Sequence, residues 1–275
     1  MIDDIASLPP VSQMMRDAGM TAKKQFGQNF LFDLNLTGRI ARSVPNIDKI
    51  PVVEVGPGPA GLTRALLLAG ACKVVAVEMD KTTEPILSRV TSASNGRLTV
   101  IYGDALKTDF SKFGFDEYSI CSNLPYNVGT ELLIQWIHKI ANGEKIKSLT
   151  LMFQREVAER ITANVGDDAY GRLSVLVNLV TDAKILFNVP RTAFTPAPKV
   201  TSAVVQLIPN PSKIKKLGDI ESIEKLTAKL FGMRRKMIRG IMPDVDWNSF
   251  KLTGTERAEN IAPEKFCEIA KKVLI

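Results

Sequence analysis

The sequence predicts an α/β protein: a doubly wound sheet followed by a small all-helical domain at the C-terminus. Three observations carry this expectation. Short apolar strands alternate with helix-like stretches as far as about residue 207. The first clear strand, Val52-Val53-Glu54-Val55, runs into Gly56-Pro57-Gly58-Pro59-Ala60-Gly61 and then a helical Leu62-Thr63-Arg64-Ala65-Leu66-Leu67-Leu68. After Pro209-Asn210-Pro211-Ser212 strand patterning stops. A strand–helix rhythm builds a parallel sheet, and strand, glycine turn, helix is the nucleotide-binding start of such a sheet.

Taken in order, residues 1 to about 20 form an amphipathic lead segment. Residues 21 to about 32 carry Gly and Gln and are expected to fold over a cofactor. The glycines of the loop permit a tight turn and let backbone approach a ligand with no Cβ in the way. The next strand, Val74-Val75-Ala76-Val77, ends at Glu78, where an acid can accept hydrogen bonds from both hydroxyls of a ribose. Leu98-Thr99-Val100-Ile101 leads to Gly103-Asp104-Ala105, which puts an acid within reach of an adenine amine. Tyr118-Ser119-Ile120-Cys121 precedes Asn123-Leu124-Pro125-Tyr126, and Lys199 to Ile208 reads as a late strand. The Pro209–Ser212 break sets the expected domains at 1–207 and 208–275. In the second, apolar spacing at Ile223, Leu226, Leu230 and Ile238 predicts one helix from Glu221 to Arg239.

Asn123-Leu124-Pro125-Tyr126 suits a grip on the exocyclic amine of a planar base. The Asn123 amide oxygen can accept one N–H of that amine. Pro125 stiffens the turn and has no N–H of its own to compete for nearby carbonyls. Tyr126 offers a face for stacking, so loss of its hydroxyl is expected to matter less than loss of its ring. An ordinary Pro-containing turn is the plain alternative.

The loop also matches G-x-G-x-x-G, so a dinucleotide dehydrogenase stands as a competing class. Glu54 inside the strand and the Gly-Asp-Ala after the third strand favour S-adenosylmethionine instead. The one histidine, His138, lies in a helical stretch with no partner motif and reads as a helix-surface residue.

Several motifs in order resemble those of the ribosomal RNA adenine N6-dimethyltransferases of the small-subunit 16S type. They are Lys24 to Leu31 (KQFGQNFL), Glu54 to Gly58, Asn123 to Tyr126, Gln154 to Arg160, Tyr170 to Val175, Phe194 to Ser202, and Arg234-Arg235-Lys236 with Arg257-Ala258-Glu259 beyond. Pro59 and Gly61 in the loop, and Met233 and Met237 beside the basic cluster, depart from the family pattern. The resemblance implies a Rossmann-like methyltransferase sheet and dimethylation of two adjacent adenosines in the 3'-terminal hairpin loop of 16S rRNA. It implies cofactor contacts at Asn29, Leu31, Gly56, Glu78, Asp104, Ala105 and Asn123. For the target base it implies Asn123, Leu124, Pro125, Tyr126 and Phe194. RNA contacts are expected at Lys23, Lys24, Arg234, Arg235 and Lys236. A large-subunit enzyme of the antibiotic-resistance kind, or a subunit-assembly factor, remain as alternatives.

Composition agrees. No apolar run reaches membrane-spanning length and no signal peptide opens the chain. Cys72, Cys121 and Cys267 are widely spaced and make no C-x-x-C pair, so neither a metal nor a disulfide is expected. Reduced thiols fit the cytoplasm, and a monomer is expected. The net charge is +7; residues 211–275 hold fourteen Lys and Arg against nine Asp and Glu, and so account for +5 of it. A basic tail suits RNA phosphates.

Overall fold

A computed structural model describes residues 4–21 and 29–273. Its strands are β1 (Phe30–Leu31), β2 (Val52–Val55), β3 (Val74–Glu78), β4 (Leu98–Tyr102), β5 (Tyr118–Asn123), β6 (Ile146–Gln154), β7 (Thr181–Val189), β8 (Phe194–Thr195) and β9 (Ser202–Pro209). Helices α1 (Val11–Asp17), α2 (Leu34–Arg42), α3 (Gly61–Leu68), α4 (Glu84–Ala93) and α5 (Gly129–Ala141) alternate with the early strands. They are followed by α6 (Arg155–Thr162), α7 (Arg172–Val180), α8 (Pro211–Leu217), α9 (Ile220–Phe231), α10 (Ile238–Ile241) and α11 (Pro263–Ala270).

Seven strands form one sheet in the order β4-β3-β2-β5-β6-β9-β7, and β1 pairs with β8 in a separate two-stranded ladder. The pairs β4–β3, β3–β2, β2–β5 and β5–β6 are parallel. Every residue of β2 and β3 is buried, as expected of central parallel strands covered on both faces. The chain winds from β2 to β3 and β4 on one side, then crosses to β5 on the other. That reversal between β2 and β5 opens a crevice at the carboxyl ends of the strands.

The chain divides into two compact units. The first comprises Met1–Leu132, Glu144–Arg155 and Ile185–Gln206. Its core gathers Ile5, Leu8 and Val11 from the lead segment with Leu66 and Leu67 of α3, Ile86 and Leu87 of α4, and Phe194 of β8. Arg64 of α3, itself buried, donates to the carbonyls of Ile5, Leu8 and Pro9 and ties the lead segment down. Asp33 caps α2 by accepting from the N–H groups of Asn35 and Leu36.

The second unit comprises Leu133–Gly143, Glu156–Lys184 and Leu207–Ile275. The expected boundary at 207/208 therefore meets a unit that resumes at Leu207 and also takes in α6 and α7. The reason is aromatic packing across long sequence separations. The Tyr170 ring meets Phe231 at 6.0 Å, and Phe231 stacks on Phe266 at 5.9 Å. The Tyr170 hydroxyl donates to the Ile261 carbonyl at 2.9 Å. Pro209-Asn210-Pro211-Ser212 does end a strand, but it also begins a helix: Asn210 accepts from the N–H groups of Ser212 and Lys213, with Pro211 in the first turn.

The single helix expected from Glu221 to Arg239 is instead two. α9 ends at Phe231, with Gly232 as its C-cap, and α10 starts only at Ile238. Glycine is the costliest ordinary residue to hold in a helix. Lys225 and Lys229 stay on α9, whereas Arg234, Arg235 and Lys236 lie in the intervening turn.

Candidate active site

A cavity of about 350 Å³ occupies the crevice of the first unit. The ends of β2, β3, β4 and β5 supply its wall, together with Asn29, Phe30 and Leu31. Asn29, Leu31, Gly56, Glu78, Asp104, Ala105, Asn123, Leu124, Pro125 and Tyr126 all line it. The sequence-predicted cofactor residues and the Asn123–Tyr126 turn thus share one wall. Phe194 does not line the cavity: its side chain is 3% exposed, belongs to the hydrophobic core, and its backbone pairs with Leu31. Lys23 and Lys24 lie outside the described residues. Arg234, Arg235 and Lys236 belong to the second unit. So does His138, whose Nε2 is 2.9 Å from a carboxylate oxygen of Glu224.

The glycine loop is shaped by close approaches. Gly58 has φ +53°, and a Cβ there would stand 3.1 Å from the Phe30 ring. A Cβ on Gly61 would collide with the Leu31 carbonyl. Gly61 is therefore required by the packing of β1 against the start of α3.

Glu78 is already engaged on both carboxylate oxygens. One accepts from the Gly58 N–H at 2.9 Å and the other from the Asp80 N–H at 2.8 Å. It both fixes the loop and keeps lone pairs for a ligand. Burial raises its carboxyl above the usual range, while those backbone N–H groups pull it back. Asp104 is held by the Leu106 N–H at 3.0 Å, and Gly103 donates to the Glu78 carbonyl at 2.8 Å. The second and third acidic positions are thus locked to one another through backbone.

Glu54 is 1% exposed and lines the same cavity. Its Oε2 makes no hydrogen bond among the described residues. Burial pushes its carboxyl up to about 8; the Thr63 hydroxyl pulls the other way and the charge of Glu78 adds to the rise.

At the end of β5, Asn123 donates from Nδ2 to the Asn29 carbonyl at 3.1 Å. That bond assigns the amide nitrogen to Asn29 and leaves Oδ1 as the acceptor for a ligand. Leu124 is buried, so its side chain serves packing. The Pro125 carbonyl accepts from the N–H groups of Val128 and Gly129 at the head of α5. The Tyr126 hydroxyl lies 2.7 Å from the hydroxyl of Ser202. This contact was invisible in the sequence, and it gives the Tyr126 hydroxyl a role beyond the stacking face.

Other wall residues escaped sequence reasoning. Phe30, Leu106 and Val128 line the cavity, as does Met79, which is 54% exposed. Met79 follows directly on Glu78, and its apolar character beside the predicted ribose acid was the available signal.

The wall accepts hydrogen bonds more than it donates them. Glu78 and Asp104 stand among apolar groups beside the proton-holding Glu54, and none of the described lining residues is Lys, Arg or His. Such a site fits a nucleoside bearing positive charge and opposes a pyrophosphate, which argues against the dinucleotide reading of the glycine loop.

The ribosomal RNA adenine dimethylase family model matches residues 19–274. The chain belongs to that family. A ribosomal RNA small subunit methyltransferase A from Mesorhizobium japonicum is 46% identical, with 98% of this chain and 99% of that protein aligned. Another, from Allorhizobium ampelinum, is 47% identical over 96% of this chain and 97% of that one. Among solved structures, a dimethyladenosine transferase from Plasmodium falciparum matches with a TM-score of 0.75 at 27% identity, covering 88% of this chain and 98% of that one. The 23S rRNA methyltransferase ErmE shares the fold, with a TM-score of 0.67 at 21% identity over 88% of this chain and 98% of its own. The fold is the Rossmann-like sheet of the S-adenosylmethionine-dependent methyltransferases, and this family member is a methyltransferase.

Proposed function

We propose that the protein transfers methyl groups from S-adenosylmethionine to N6 of two adjacent adenosines in the 3'-terminal hairpin loop of 16S rRNA, within the small ribosomal subunit. The observation that carries this reading is the Asn123-Leu124-Pro125-Tyr126 turn on the wall of an acid-lined cavity. Similarity over nearly the whole chain to small-subunit methyltransferases supports the choice of particle.

Glu78 takes the ribose hydroxyls and Asp104 the adenine amine, with Ala105 adding backbone. Gly56, Asn29, Leu31 and Asn123 border the methionine portion. When bound, this cofactor supplies an electrophilic methyl on a sulfonium. The protein's own task is alignment, because an adenine amine is a weak nucleophile whose lone pair is delocalised into the ring. Asn123 Oδ1 accepts one amine hydrogen. With the Pro125 carbonyl taken by α5, the Leu124 carbonyl accepts the other. Two acceptors set off the ring plane favour a pyramidal nitrogen over the planar ground state, and holding the partners in line contributes much of the rate. Tyr126 stacks on the base once it has left its own stack.

Arg235 and Lys236, together with Lys23 and Lys24, meet RNA phosphates, while Arg234, bonded to Glu259 and the Asp168 carbonyl, holds the turn that presents them. Three unpaired thiols, Cys72, Cys121 and Cys267, suit a reducing cytoplasm.

Asn123→Ala tests the site. In single-turnover methylation of unmodified small subunits, at saturating cofactor, it should be slower by roughly a hundredfold or more, with particle binding retained. A normal rate removes Asn123 from the chemical step.

A further inference from the structure

We infer that Ser202 is a positioning residue for methyl transfer: its buried hydroxyl anchors the hydroxyl of Tyr126 and so fixes the place of the ring that receives the target base. The inference rests on the reading of Tyr126 as the stacking face.

Tyr126 is amphipathic in its placement. The residue lines the cavity, while its Oη reaches the Ser202 Oγ at 2.7 Å. Ser202 is 0% exposed and is the first residue of β9. The start of β9 is itself held, because the Arg155 N–H donates to the Thr201 carbonyl at 2.9 Å where β6 ends. The anchor therefore stands on the sheet rather than on a free loop. One hydroxyl donates to the other in a setting where an unpaired buried polar group is costly.

The Oη of a tyrosine lies on the axis about which its ring turns, so a bond there restrains the swing of the whole ring about the Cα–Cβ bond, which sets where the ring stands. A stacking platform at the end of a turn would swing unless its far end were tied. Ser202 provides that tie without touching either reactant, so its loss should act through Tyr126 alone.

The experiment is a double-mutant cycle on the full-length protein with unmodified small subunits, read by single-turnover methylation at saturating cofactor, with cofactor affinity and melting temperature measured alongside. Ser202→Ala is expected to slow transfer roughly tenfold, the loss of about one hydrogen bond, with cofactor affinity unchanged. Tyr126→Phe should fall to a similar rate, and the double variant should be no slower than the slower single. Ser202→Thr, which keeps a hydroxyl, should recover most of the rate. A wild-type rate for Ser202→Ala beside a slow Tyr126→Ala overturns the inference and leaves Tyr126 as the stacking face. So does a double variant whose loss is the product of the two single losses. If Ser202→Ala does not fold, a wild-type rate for Tyr126→Phe overturns it equally. A wild-type rate for Tyr126→Ala would sink the stacking reading itself, and this inference with it.

Discussion

Glu54 carries a consequence of burial that can be measured without any RNA. Its carboxyl moves from an ordinary 4.5 to about 8 because it is enclosed beside Glu78 at the end of β2. Between those values the folded protein keeps the proton and the unfolded chain releases it. Stability contributed by the protonated acid is therefore complete below the unfolded value and is lost as pH rises through the folded one. The slope is at most about 1.4 kcal/mol per pH unit. Glu78, also raised, adds in the same direction. Melting of cofactor-free protein should fall from pH 5 to pH 8, and Glu54→Gln should flatten that fall. A Gln variant with the wild-type slope would mean the acid is ionised in the folded state. The residue scale is also where the sequence was most legible. Asn123, Leu124, Pro125 and Tyr126 are consecutive, Glu78 ends β3 and Asp104 follows two residues after β4, so local pattern picked out these cavity-lining residues. Ser202 is 76 positions from Tyr126, and no local rule joins them. Phe194 lies in the core off the cavity, and an aromatic two residues before a proline looks the same in sequence whether it faces a ligand or the core.

Among the elements, the turn between α9 and α10 divides the work of the basic cluster. Arg234 donates through Nε to Glu259 at 2.6 Å and through a terminal nitrogen to the Asp168 carbonyl at 2.7 Å. It ties the turn to the segment before α7 and to the stretch before α11. Arg235 and Lys236 are exposed in the same turn. Arg234→Ala should lower stability by about 1 kcal/mol, a hydrogen bond and a half-exposed ion pair together, as read from denaturant midpoints. Arg235→Glu with Lys236→Glu should leave the midpoint alone, weaken particle binding, and reduce its salt slope by about one per lost phosphate contact. A double variant with wild-type affinity and slope returns these two side chains to a solvated surface. The sequence placed all the cations on one helix because apolar spacing continues through Ile238. It could not weigh that spacing against the break at Gly232, which depends on what α10 packs against. By contrast β2, β3 and β4 were legible to within a residue, since short runs rich in valine, isoleucine and threonine leave little choice.

At the scale of the molecule, charge and fold point to the same partner. Residues 211–275, within the second unit, carry +5 of the net +7, whereas Glu78 and Asp104 line the cavity of the first. A polyanion is drawn to one and a cationic cofactor to the other. A parallel, doubly wound sheet was implied by the strand–helix rhythm, but neither its strand order nor the second unit was. That unit takes in Leu133–Gly143 and Glu156–Lys184 from the middle of the chain, where Tyr170, just before α7, meets Phe231 in a ring contact that only the folded structure displays. No helix among the described residues is long and apolar enough to cross a membrane. The central claim is adenine dimethylation of small-subunit RNA, and it is tested most directly by transfer of a labelled methyl group from S-adenosylmethionine to unmodified small and large subunits, followed by mapping of the label. Label is expected on small subunits alone, at N6 of two adjacent adenosines, with up to two methyl groups on each. Label on large-subunit RNA, or on any base position other than an adenine N6, would contradict it.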